Sequence, residues 1–309
     1  MKETYPRIRL TRICRLLGVT RQAYYQHLWR KEELSIEEDL VLSAVKKIRN
    51  NHRHMGGRKL YEKLKPFLLE HQIKMGREGI FDLLSANHLL VRRKRRRVST
   101  TQSFHWLRKY PNLIKAFTPS KINQLWVSDI TYWKTAVGYV YISFITDAYS
   151  RKVVGYHVAN SLNTVETIHA LCKALLTLKE PPEKLIHHSD RGVQYCSAAY
   201  VKLLQSNGIQ ISMTEKGDPY ENALAERVNG ILKNEYLYDS YPKNLSDAKE
   251  ILEVSVNLYN SDRPHMSIGY RTPEEVHQQK IETSVFVNGY TDLSYGDVNL
   301  VTDLEIEQN

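Results

Sequence analysis

Three acidic residues stand where acid is unexpected, and their surroundings limit the chemistry they could share. Asp129 lies inside WVSDITYW, a run whose Val, Ile and Trp neighbours ask to be buried in a strand. Asp190 closes KLIHHSD, at the carboxyl end of a short strand, where α/β folds commonly place ligands. Glu226 lies in GDPYENALAERVNGILKNEYL, a segment with helical spacing. Carboxylates from two strands and a helix can converge only if cations compensate them, because like charges a few ångströms apart repel and one would otherwise take up a proton. Oxygen-only ligands favour magnesium or manganese over zinc. A pair of such ions serves in-line displacement at phosphorus, one activating the attacking hydroxyl and the other stabilising the leaving oxygen. The competing reading is three unrelated surface acids. With 24 acidic residues in 121–309, a chance triple is not rare, so spacing and context must decide.

The elements that would position these acids are legible in outline. QLWVSDITYWKT, GYVYISFITDAYS and RKVVGYHVAN are three strand-like runs separated by hairpin-length breaks. A helical stretch follows over 163–179, then the short strand ending at Asp190, a helix over about 197–207, and a strand in QISMT at 210–214. Three antiparallel strands followed by alternating helix and strand predict a mixed α/β sheet. The helix carrying Glu226 is expected from near 219, with Asp218 as N-cap, Pro219 at its first position and Glu221 completing a capping box. Leu224, Val228, Ile231 and Leu232 form its inner stripe, while Asn222, Glu226, Asn229 and Lys233 share another face.

Upstream the texture is different. IRLTRICRLLGVTRQAYYQHL, residues 8–28, reads as two short helices around a Gly turn. Ile13, Leu16 and Leu17 make an apolar face, Gly18 ends the first helix in the left-handed conformation, and Thr20 caps the second. That is the pattern of a helix-turn-helix, with Arg21, Gln22 and Tyr25 on the groove-reading helix; an ordinary helical hairpin is the bland alternative. Residues 36–90 are again helical and suit a second such unit. The run Arg92, Arg93, Lys94, Arg95, Arg96, Arg97 must be solvated or lie against phosphates. Charge supports this division. Residues 1–120 hold 27 basic and 10 acidic residues, a net +17, which leaves −7 for the rest of a chain of net charge +10. A basic front half joined to an acidic back half suggests a nucleic-acid grip attached to something that needs carboxylates.

The segments around all three acids resemble the Asp-Asp-Glu transposases and integrases, most closely the second-reading-frame product of the IS-three family of insertion sequences. The resemblance runs over WVSDITYW, SRKVVGYHV, HSDRGVQY with 35 residues between Asp190 and Glu226, EKGDPYENALAERVNGILKNE, and the closing YNSDRPHMSIGYRTPEEV. HRHMGGRKLYEKL upstream is similar to that family's second helix-turn-helix. The resemblance implies an RNase H-like catalytic domain in which Asp129, Asp190 and Glu226 are the catalytic and metal-binding triad, with two Mg2+ per site and Mn2+ able to substitute. It places Lys233 at a basic position touching the DNA end, with Asn222 and Asn229 as further DNA contacts, and leaves open the role of Asn260, Arg263, Pro264 and His265. Val193 and Arg227 depart from the pattern, at positions where a small polar residue and a Ser are common.

The expected organisation is a helix-turn-helix over 1–35, a second helical DNA-binding unit over 36–90, a basic linker over 91–123, the catalytic domain over 124–280 and a polar tail over 281–309. The function this implies is metal-dependent cleavage and strand transfer at the inverted-repeat ends of an insertion sequence. Partners would be double-stranded end and target DNA and at least one further copy of the chain. The alternative is a non-catalytic DNA-binding regulator whose back half is inert. No apolar run approaches the ~18 residues of a membrane span, and the reading is of a cytoplasmic, nucleoid-associated bacterial protein. Three dispersed cysteines suit neither a disulfide framework nor a zinc site. His187 and His188 read as structural or DNA-facing, and His265 as a general base is disfavoured because metal-activated hydroxyls need none.

Overall fold

Gly18 takes a left-handed φ of 67° where α1 (Leu10–Leu16) ends, and the Thr20 hydroxyl accepts from the Ala23 amide at 3.0 Å to start α2 (Arg21–Asn51). The computed structural model describes residues 9–91, 106–215 and 222–278. The helix, Gly turn and capped second helix therefore form from the residues expected to form them. Two features differ. α2 is not short: it runs 31 residues, straight through the boundary expected after residue 35. RKEELSIEEDL contains neither Gly nor Pro, so a helix once nucleated has no reason to stop there. Of the predicted apolar face only Ile13 is buried, beside Cys14, whereas Leu16 and Leu17 are exposed. A two-turn helix against one neighbour buries a single line of side chains. The far end of α2 packs with α3 (Gly57–Glu70) and α4 (Arg77–Ala86) around Val41, Val45, Met55, Leu60, Leu64, Ile80 and Leu84.

β1 (Leu125–Thr135), β2 (Gly138–Asp147) and β3 (Val153–Ala159) are antiparallel neighbours. β4 (Ile186–Ser189) then returns parallel to β1, and β5 (Gln210–Met213) parallel to β4, giving the order β3-β2-β1-β4-β5. The mixed sheet is the expected one. α5 (Thr164–Leu175), α6 (Val193–Cys196) and α7 (Ala198–Ser206) close one core, around Trp126, Ile145, Leu171, Tyr195 and Tyr200. α8 (Ala223–Ile231), a π-helical turn (Leu232–Leu237) and α9 (Leu245–Ser261) close a second, around Trp133, Ile142, Phe144, Val228 and Leu252. A 3-10 turn (Met266–Ile268) and α10 (Pro273–Gln278) finish the described chain. Among the described residues no helix is long and apolar enough to cross a membrane.

Gly155 sets how closely α5 approaches β3. A Cβ there would stand 2.3 Å from the Ala170 carbonyl oxygen and 2.8 Å from the Ala174 Cβ, and neither is the tip of a flexible side chain. Gly155→Ala is expected to push the helix off the strand and to cost about 1–3 kcal/mol, read as a lowered denaturation midpoint. An unchanged midpoint would show that the helix yields freely.

Candidate active site

The register between β1 and β4 pairs Leu125, Trp126 and Val127 with Ile186, His187 and His188. Extended two residues past the end of this ladder, the same register brings Asp190, the residue after β4, level with Asp129. α8 buries Ala225 and Val228 against the sheet and leaves Glu226 on its exposed side. The Asp129 carboxyl is pushed up to about 7, first by burial, then by the charge of Asp190, with Glu226 adding to it. Hydrogen bonds from the Ile130 amide at 2.9 Å and Asn229 Nδ2 at 2.8 Å favour its anion and hold the shift down. The three acids thus share one electrostatic neighbourhood. They are not drawn together as a finished ligand cluster, since among the described residues the trio whose ligand atoms all lie within 4.8 Å is His157, Glu166 and His169. Repulsion between like charges is the physical reason to keep such carboxylates apart. Asp190 Oδ1 accepts from the Gly192 amide at 2.9 Å, and a Cβ on Gly192 would stand 3.0 Å from that oxygen.

Two residues expected to contact DNA also brace the site. Asn222 and Asn229 are buried, and they point at the site rather than outward. Asn222 Nδ2 donates to the Ser128 carbonyl at 3.0 Å, and Asn229 Nδ2 donates to Asp129 Oδ2. The helical spacing was sound, but that face is turned onto β1, so the asparagines position Asp129. The described helix runs from Ala223 with Asn222 as its N-cap, and the expected start near 219, with Asp218, Pro219 and Glu221, lies outside the described residues. Lys233 is half-buried with its Nζ 3.9 Å from the Tyr132 ring centroid, and burial lowers its pKa. Arg21 and Gln22 are exposed on the first turn of α2, while Arg92, Arg93, Lys94, Arg95, Arg96 and Arg97 lie outside the described residues.

The histidines beside Asp190 are structural. His187 is fully enclosed, its pKa driven down to about 3 chiefly by burial, and its Nε2 meets the Tyr200 hydroxyl at 3.0 Å. His188 Nδ1 meets the Ser212 hydroxyl at 2.8 Å. The closing motif is structural too. Asn260 brackets Val153 on edge strand β3, accepting from its amide at 2.9 Å and donating to its carbonyl at 3.0 Å. Arg263 makes a two-pronged pair with Glu235, at 2.8 and 2.9 Å, and Lys59 of α3 reaches the same carboxylate at 2.6 Å. His52 Nε2 donates to the Asp262 carboxylate at 2.6 Å, its Nδ1 meets the Tyr236 hydroxyl at 3.0 Å, and Lys63 also pairs with Asp262. Sequence reasoning missed this network, which ties α3 to the helix continuing from Glu226. Its signal was an acid and a base, Asp262 and Arg263, inside an otherwise turn-like motif. His265, already disfavoured as a general base, has its pKa pressed down to about 3 by burial and nearby cations.

Residues 119–219 and 207–273 match models of the integrase core domain. Over 277 residues the chain is 34% identical to the insertion element IS600 uncharacterized 31 kDa protein of Shigella sonnei, spanning 86% of this chain and 99% of that one. The chain belongs to the insertion-sequence transposases of the Asp-Asp-Glu superfamily. It is also similar to transposase InsF for insertion sequence IS3A of Escherichia coli strain K12, at 28% identity across 87% of this chain and 94% of that one, in line with the IS-three resemblance of its motifs. Among solved structures, the HTLV-2 integrase catalytic core domain in complex with magnesium superposes with a TM-score of 0.42 at 22% identity, covering 52% of this chain and 99% of that one. As a transposase with an RNase H-like integrase core, the protein is an enzyme of the polynucleotidyl transferase type.

Proposed function

We propose that this transposase cuts DNA at the inverted-repeat ends of an insertion sequence and joins the freed ends to a target, with Asp129, Asp190 and Glu226 as its catalytic carboxylates. The observation that supports the reading most is that the charges of Asp190 and Glu226 both act on the enclosed Asp129 carboxyl, on a β1–β4 register that runs toward Asp190. The donor set fits divalent cations of the magnesium class: it is all oxygen, it concentrates negative charge, and Asp129 holds its proton up to about 7 for want of compensation. Two Mg2+, or Mn2+ in their place, would supply activation of the attacking hydroxyl and stabilisation of the leaving oxygen.

Water attacks the phosphodiester at the element end, a P–O bond breaks, and a 3′-hydroxyl is released. That hydroxyl attacks a second phosphodiester, forming one P–O bond as another breaks, so no covalent protein–DNA intermediate arises. Asn229 orients Asp129 throughout, and the Gly192 amide fixes Asp190. Arg21 and Gln22 on α2 read the ends, Lys233 touches the end near the site, and the basic run Arg92 to Arg97 follows phosphates. Two ends require two active sites, so the acting form is at least a dimer on DNA. Nicking and joining of cognate ends should require Mg2+ or Mn2+ and vanish on chelation. Sequence-specific binding with no cleavage under those conditions would point to a regulator instead.

The acidity of Asp129 adds a pH signature. Ligation needs its anion, and its folded pKa is about 7. Apparent metal affinity should therefore fall about tenfold for each pH unit below 7 and level off above it. Titrating Mg2+ in the nicking assay at several pH values checks this; a flat profile would mean Asp129 is not a ligand.

A further inference from the structure

The close packing that Gly155 permits has a second consequence, on the far side of β3 from α9. Ala170 and Ala174 meet Gly155, and Glu166 extends the same i, i+4, i+8 stripe of α5 one turn toward its start. His157, two residues beyond Gly155, points to the same side of β3 and so arrives at Glu166. His169 stands three residues after Glu166 on the helix. His157 Nε2 lies 3.0 Å and His169 Nδ1 3.7 Å from Glu166 Oε2, and all three donor atoms fall within 4.8 Å of one another.

We propose that His157, Glu166 and His169 form a transition-metal site, separate from the catalytic carboxylates, that takes one zinc-class ion. The two imidazole–carboxylate spacings bracket the ~3.3 Å edge of a tetrahedron with metal–ligand bonds of ~2.0–2.1 Å. The His169–Glu166 pair must close by a few tenths of an ångström and the widest pair by at most roughly 1.5 Å, which side-chain rotation supplies. Two imidazoles and one carboxylate leave a fourth position open and select zinc, cobalt or nickel over magnesium. The donors are prepared for it. The Ser161 hydroxyl holds Glu166 Oε1 at 3.2 Å, as an outer-shell partner of a ligating carboxylate does. Burial, with His169 next, lowers the His157 pKa, which eases the proton loss that ligation requires, and the Glu166 and Lys249 charges that also face it pull in opposite directions. Both elements are rigid, since β3 is laddered to β2 and α5 is pinned at Gly155. An ion here would clip α5 to the edge strand of the sheet.

Zinc titrated into the full chain with Mg2+ in large excess tests the site, because magnesium competes for oxygen-only ligands and not for imidazoles. One zinc per chain should bind, and cobalt(II) should give the strong visible absorption of a low-coordinate, nitrogen-ligated ion; both readouts use the unaltered protein. His157→Gln, His169→Ala and Glu166→Gln should each weaken zinc at least ~100-fold. Asp190→Asn should not, and neither should Cys172→Ser, which removes an exposed thiol one turn from His169. The proposal is overturned if no zinc survives the magnesium, if the His157 and His169 variants keep it, or if Cys172→Ser alone abolishes it.

Discussion

Asp190→Asn and Glu226→Gln are each expected to lower nicking and joining of element ends by at least ~1000-fold while end binding is kept, or strengthened as repulsion of phosphates falls. Labelled-end cleavage and gel-shift assays on the same preparations separate the two properties. Asp129→Asn should show the same loss together with an effect the others lack. Asp129 ionises near 3.8 in the unfolded chain and at about 7 in the folded one. Between those values the folded protein holds a proton that the unfolded chain has released, so stability falls as pH rises from about 4 to about 7 and stays lowered above. Removing the charge should raise stability at pH 8 by ~1–4 kcal/mol and leave it unchanged at pH 4. Full activity in any of the three variants would end the proposed mechanism, whatever its stability.

Glu235→Ala is expected to produce the largest loss of stability in the molecule. Glu235 answers both Arg263, whose side chain is only 3% exposed, and Lys59, at 18%. Deleting the carboxylate strands two enclosed cations, and breaking such a pair costs about 3–5 kcal/mol. Arg263 and Lys59 hold the Glu235 carboxyl below its ordinary pKa against the upward push of burial, so this contribution is present at neutral pH and lost as pH falls into the acid range. Because the π-helical turn carrying Glu235 continues α8, cleavage should fall too, through displacement of Glu226. Replacing Glu235, Arg263 and Lys59 together with Leu, Met and Met should recover much of the stability, since no member of the network is then left as an unpaired charge. A Glu235→Ala variant that melts like the parent would show that water reaches Arg263 and Lys59 and that the network is not enclosed.

Local rules carried the sequence a long way. Gly18 and Thr20 acted as turn and cap, the Val-, Ile- and Tyr-rich runs became β1 to β3, and the motif segments around Asp129, Asp190 and Glu226 placed the chain in its family, because period, capping and residue type are read within a few positions of the chain. What needed tertiary structure was every property set by partners distant in sequence. Nothing local to Asn229 says that the residue meeting its amide is Asp129, 100 positions earlier. The same holds for Lys59 and Glu235, and for the seating of His157 against Glu166 and His169, which depends on one absent Cβ at Gly155. Helical spacing told which side chains share a face, but only the packing of α8 on β1 decided that its asparagines look inward. The physical reason is that local preference sets the direction of a side chain relative to its own backbone, whereas burial, pKa and pairing depend on where another segment comes to rest.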